Sequence, residues 1–260
     1  MSTATLTSPV TTSKGRTPMR ASRKQSLAAG IFYVLTFVSI PTLVLYLNAH
    51  KAGFITGSGP DAPVYIGAVL EVIVALTGIG TAIALFPVVK RQNESLALGF
   101  VAARTLEAAG IIAGVASIFS LVTLRHSGVG ADAAVTGQAL ASMYDRFFML
   151  SQSLMPSING ILLGTLMYRS RLVPRILPTI GLIGAPILFV YTMLAVGGVV
   201  DNFGPAAGPA ALLIAVWELS LGIYLTVKGF KRNHITDAFD AAALENKAAA
   251  DNYAAAKVAS

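Results

Sequence analysis

Residues 96–124 read LALGFVAARTLEAAGIIAGVASIFSLVTL, a run whose only ionised side chains are Arg104 and Glu107. A helix needs about 20 predominantly apolar residues to cross the roughly 30 Å hydrocarbon layer of a bilayer. Length and composition therefore mark this stretch as a membrane span. The two charges complicate it, because an ionised side chain at the centre of a span costs about 2.5–3.5 kcal/mol even on insertion scales. Arg104 and Glu107 are three residues apart and share one helix face. They are expected to face other helices, not lipid.

Working outward, the same reading applies to most of the chain. Of 260 residues, 55% are hydrophobic and 12% charged, with mean hydropathy +0.70. Soluble domains carry about 25% charged residues, so the composition is that of a membrane protein. Six apolar blocks are long enough to span: 27–48, 65–89, 96–124, 142–167, 176–199 and 207–227. They are too long for roughly ten-residue barrel strands and lack in/out alternation. Backbone groups in lipid must be satisfied within the segment, so the blocks are helices. The expected fold is an all-α, polytopic bundle of six transmembrane helices spanning 26–232.

Lys and Arg fall on alternate connections. Lys14, Arg16, Arg20, Arg23 and Lys24 precede the first block. Lys90 and Arg91 follow the second, and Arg169, Arg171 and Arg175 follow the fourth. Lys228, Lys231, Arg232, Lys247 and Lys257 follow the sixth, while the opposite side has Lys51 and Arg125. The positive-inside rule makes the rich side cytoplasmic, so both termini are expected inside. Residues 1–25, basic and Ser/Thr-rich, read as a disordered arm. The Ala-rich tail, 233–260, lacks a strong apolar face and reads as a frayed helix or disorder.

The remaining polar residues define candidate sites. Glu71 of the second block heads a stripe of small residues, Ala75, Gly78 and Ala82, about 10 Å below the outer boundary. Glu107 lies about 16 Å from the inner one. In the fourth block Asp145, Gln152 and Asn159 recur every seven residues, close to two turns, and form a descending polar stripe. Arg146 is rotated about 100° from Asp145 and is free to snorkel to the surface. Glu218 lies mid-block beside Trp217. Desolvation should drive these groups together into one polar centre of Glu71, Arg104, Glu107, Gln152, Asn159 and Glu218, with Asp145 and Arg146 as secondary members. Four acids then face two bases, and a protonated Glu107 or Glu218 is the expected response. Such a centre binds an anionic group through Arg104, or a cation or proton through the glutamates. The alternative is a set of buried ion pairs that only fixes helix packing.

Several chemistries are excluded or unsupported. With no cysteine there is no disulfide, thiolate nucleophile or Cys-ligated metal. His50, His126 and His234 all fall outside the block interiors, so bis-histidine haem within the bilayer is not expected. His50 and His126 with Asp61 or Asp132 make only a weak case for an outer metal site. No nucleotide-binding, hydrolase or metalloprotease motif is present. We therefore expect no catalytic residue, no resident metal or cofactor and no nucleic-acid partner, with the net charge of +7 explained by membrane orientation. Partners are the lipid bilayer and a small molecule or ion. Gly110-x-x-x-Gly114 and Gly160-x-x-x-Gly164 permit close helix approach, either within the bundle or in a homo-oligomer. Both halves carry a midplane glutamate, in TLEAAGII around Glu107 and VWELSLGIY around Glu218. Inverted repeats place transporter sites at such positions, although so short a likeness is better explained by chance.

Three segments carry a resemblance: ALFPVVKRQNESLALGFVAARTLEA (84–108), YRSRLVPRILPTIGLIGAPIL (168–188) and WELSLGIYLTVKGFK (217–231). In order and spacing they resemble a bacterial membrane family, domain of unknown function 4386. The resemblance covers roughly residues 25–232 and implies a six-helix bundle in the bacterial cytoplasmic membrane. It implies no activity.

Overall fold

The structure, a computed structural model, describes residues 19–57, 59–128 and 133–259. Residues 1–18, most of the expected arm, and Asp132 lie outside the described residues. The elements are α1 (Ala21–Leu35), a 3-10 turn (Thr36–Ser39), α2 (Thr42–Leu45), α3 (Ala62–Val89), α4 (Glu94–His126), α5 (Ala134–Phe148), a π-helical turn (Met149–Leu154), α6 (Met155–Ser170), α7 (Ile176–Val196), α8 (Ala207–Val227) and α9 (His234–Ala259). Among the described residues six helical stretches are long and apolar enough to cross a membrane, with α1–α2 forming the first and α5–α6 the fourth.

The spans close into a ring. Each packs against the next in sequence, and α8 returns to pack against α1. The outside of the ring is apolar: Ile66, Val69, Ile73, Leu76 and Ile83 of α3 are all exposed. Glu71, Arg104 and Glu107 are buried. Charge inside and hydrocarbon outside is the arrangement a bilayer imposes. Both glycine pairs serve this packing. A Cβ at Gly110 would lie 2.6 Å from the Ser151 Cβ, and one at Gly160 would lie 2.9 Å from Ala185 and Ile214. The close approach is therefore between helices of one chain.

Two proline-linked breaks shape the interior. Pro41 has no N–H to give the Phe37 carbonyl, and the first span tightens to 3-10 before it. Side-chain hydroxyls return hydrogen bonds to the broken backbone: Thr36 to the Tyr33 carbonyl and Thr42 to the Ser39 carbonyl, both at 2.7 Å. Beyond Leu35 the first span leans on α3. Pro156 likewise frees the Gln152 carbonyl, and the widened π turn immediately precedes it.

The Lys/Arg-rich ends of the spans are tied together. Arg23 donates to the Leu225 and Thr226 carbonyls at 2.8 and 2.6 Å, a cation at the C-terminus of α8. The start of α1 and the end of α8 thus share one face of the ring. Helix begins at Ala21, inside the stretch expected to be an arm, because Asp240 of α9 accepts from the Ser22 backbone N–H at 2.7 Å and its hydroxyl at 2.9 Å. The tail expected to fray is helical over α9. Its first turns dock through buried Ile235 and Thr236 and through Asn233, whose amide donates to the Ser170 carbonyl at 2.8 Å. The fourth span starts at Ala134, earlier than the hydropathy of 125–141 suggests.

Candidate functional site

Arg104 lies at the ring's centre, about 15 Å along α4 from its start. One terminal nitrogen donates to both Glu107 oxygens at 3.1 and 3.0 Å. The other reaches Glu218 of α8 at 2.5 Å and the Tyr33 hydroxyl of α1 at 3.2 Å. Asn159 of α6 donates to Glu107 at 2.6 Å. Rings of Tyr33 and Phe100 flank the guanidinium, 5.2 and 5.8 Å from their centroids, within cation–π range. One cation thus pins the first, third and sixth spans, and Asn159 adds the fourth. Arg104 Nε, Asn159 Oδ1 and Trp217 Nε1 are buried and have no protein hydrogen-bond partner.

Glu71 is not part of this cluster. It is fully buried, and three donors surround its carboxylate: the Tyr144 hydroxyl at 2.7 Å, the Gln152 amide at 3.0 Å and the Tyr46 hydroxyl at 3.3 Å. The expected single centre is therefore two. The cause is the need to hydrogen-bond a buried carboxyl: two hydroxyls and an amide supply donors to Glu71 without a cation. The polar stripe of the fourth span divides in the same way. Asn159 serves Glu107, Gln152 serves Glu71, and Asp145 turns outward to His50 at 2.9 Å. Arg146 is exposed, as a snorkelling side chain would be.

His50 lies beyond the first span. Its Nδ1 faces the Tyr46 carbonyl at 2.8 Å and its Nε2 the Asp145 carboxylate. Both partners accept, so the doubly protonated ring satisfies both. The hydrogen bond to Asp145 holds the His50 pKa above its ordinary value, against the lowering effect of burial. His126 pairs separately with Asp61 at 2.6 Å, and Arg125 shares that aspartate. The two histidines do not converge, and the described residues hold no group of three metal-ligating side chains.

Two cavities flank Glu71. The central one, about 180 Å³, is lined by Arg104, Glu107 and Glu218, by Gln152, and by Thr36, Ser39 and Ile40 of the first-span break. The outer one, about 200 Å³, is lined by Tyr46, His50, Tyr144, Asp145, Phe148 and Phe203. The Lys/Arg-rich half is instead filled with buried side chains such as Leu85, Leu163, Met167 and Leu225. The sequence reading missed the tyrosines. Tyr33, Tyr46 and Tyr144 are neutral and were not counted among charged groups. A tyrosine inside a span always brings a hydroxyl that needs a partner, and that was the available signal.

The family described as Domain of unknown function (DUF4386) matches residues 28–229. No curated protein and no solved structure matches the chain. The match runs from within the first span to beyond the end of the sixth, and the chain belongs to this family.

Proposed function

We propose that this member of the family is a membrane-embedded binding or transport protein for a small cation, received in the central cavity against Glu107 and Glu218. The observation that carries this reading is the cavity of about 180 Å³ at the ion cluster. A core that only fixes packing has no need to leave space around its charges. Two carboxylates share one guanidinium, and they are its more accessible members: side-chain exposure is 9% and 12% for Glu107 and Glu218 against 3% for Arg104. The charge presented to the cavity is therefore negative. Thr36, Ser39 and Gln152 add polar groups, while Ile40, Val74 and Leu188 supply apolar wall. The volume falls below the roughly 300–1,000 Å³ of drug-sized sites, which fits a ligand of a few heavy atoms, such as a short-chain ammonium or a partly hydrated ion.

The seam between the first-span break and α8 is the entry this reading assigns. With the Lys/Arg-rich end cytoplasmic, the cavity reaches from the midplane into the outer half of the bacterial cytoplasmic membrane. Transport then requires the packed inner half to open. A second reading, a structural or regulatory protein, is favoured by the way Arg104 pins its neighbouring spans, which needs no ligand.

Thermal unfolding of the purified protein in nanodiscs distinguishes the two. A ligand at one hundred times its Kd adds about 2.7 kcal/mol. Methylammonium or sodium chloride should raise the midpoint with concentration, exchanging chloride for acetate at fixed cation should change nothing, and Glu218→Gln should abolish the effect. No cation-dependent rise in the wild type would favour the structural reading.

A further inference from the structure

The outer cavity differs in chemistry from the central one. Four aromatic side chains line it: Tyr46, Tyr144, Phe148 and Phe203. They form a continuous series, with ring centroids 5.1 Å apart for Tyr46 and Tyr144, 6.3 Å for Tyr144 and Phe148, and 5.3 Å for Phe148 and Phe203. A single carboxylate, Asp145, stands at the same cavity with its side chain 30% exposed. Aromatic walls with one acid are the combination that recognises a substituted ammonium: the rings attract the cation through their quadrupoles and the acid supplies counter-charge. A metal ion prefers more oxygen ligands than one aspartate provides.

The geometry points to a second binding site here, taking a quaternary or alkylated ammonium of about the size of tetramethylammonium. The volume of about 200 Å³ is large enough to accommodate such a cation. The site is separate from the central cavity. The hydroxyls of Tyr46 and Tyr144 line the outer side, Gln152 lines the inner side, and all three donate to the buried Glu71 between them. The outer site therefore stands or falls independently of the central one.

His50 is a built-in competitor. When protonated it occupies the Asp145 carboxylate at 2.9 Å. When neutral it releases that charge to a bound cation. The other titratable or charged groups around it are Tyr144 from α5 and Tyr46 and Lys51 from its own segment. Arg146, next to Asp145, is exposed, and Asp201 in the loop carrying Phe203 accepts from the Phe203 backbone N–H at 2.9 Å. Among these groups Asp145 alone offers the His50 ring a carboxylate. Cation binding should therefore tighten as pH rises and His50 loses its proton.

Isothermal titration of the full-length protein in nanodiscs with tetramethylammonium chloride tests the site, with tert-butanol as the uncharged control and sodium chloride, titrated into Glu218→Gln, as the unsubstituted one. We expect saturable binding of tetramethylammonium at pH 8, about tenfold weaker at pH 5.5. Asp145→Asn should weaken it at least about tenfold and Phe148→Leu severalfold. His50→Gln should remove most of the pH dependence, and Glu218→Gln should leave outer binding intact. Absence of binding by the wild type at pH 8 would overturn the assignment. So would equal heats from tert-butanol, or binding that survives Asp145→Asn and disappears in Glu218→Gln, which would move the cation to the central cavity.

Discussion

Replacing Arg104 with methionine keeps a flexible, unbranched stem and removes the charged guanidinium. The guanidinium makes four hydrogen bonds, two to Glu107, one to Glu218 and one to Tyr33. Without it Glu107 retains Asn159 as donor, and Glu218 loses its one side-chain donor among the described residues. Removing one partner of a buried ion pair costs about 3–5 kcal/mol, because the other charge is left uncompensated. Both carboxylates border a cavity, through which solvent softens that penalty, so we expect the lower end, about 3 kcal/mol. The triple variant Arg104→Met, Glu107→Leu, Glu218→Leu removes the stranded charges as well. It should recover most of the loss, since apolar replacement of a whole buried ion cluster is commonly neutral or stabilising. Reversible unfolding in mixed micelles measures both. A single variant that loses less than about 1 kcal/mol, or a triple variant no more stable than the single, would refute the claim that these three groups share one desolvated centre.

Other outcomes follow from the same structure. Because the folded His50 pKa is raised, its pair with Asp145 stabilises fully below the unfolded value of about 6.5 and fades as pH rises through the folded value. The stability advantage of wild type over Asp145→Asn should accordingly be largest at pH 5.5 and shrink by pH 9, as read by thermal unfolding; an advantage that grows with pH would contradict the pairing. Gly110→Val should cost about 1–3 kcal/mol, because its Cβ would meet the Ser151 Cβ at 2.6 Å; a neutral effect would mean that α4 and the π turn do not pack closely.

Much of the architecture was legible because a bilayer constrains the chain so strongly. Span length fixes where helices run, and charge on a span predicts an inward face. That argument foresaw Arg104, Glu107 and Glu218 meeting from the third and sixth spans, 114 residues apart for Arg104 and Glu218. It failed for Glu71, whose partners are the Tyr46 and Tyr144 hydroxyls and the Gln152 amide, from the first and fourth spans. It also failed for the division of Asp145, Gln152 and Asn159, since ideal helical spacing does not anticipate a π turn before Pro156. The helical tail and the early start of α1 depend on Asp240 meeting Ser22, a contact between the two ends of the described chain with no local signature.

The central claim is that the ion cluster borders an open, negatively charged cavity. Because the chain has no cysteine, a single Ala215→Cys, at the cavity wall, can be probed with small methanethiosulfonate reagents of either charge, with Leu163→Cys, 0% exposed, as the packed control. The account predicts that position 215 reacts, that position 163 does not, and that the cationic reagent outpaces the anionic one by about tenfold. Equal inertness at both positions, or preference for the anionic reagent, would contradict it.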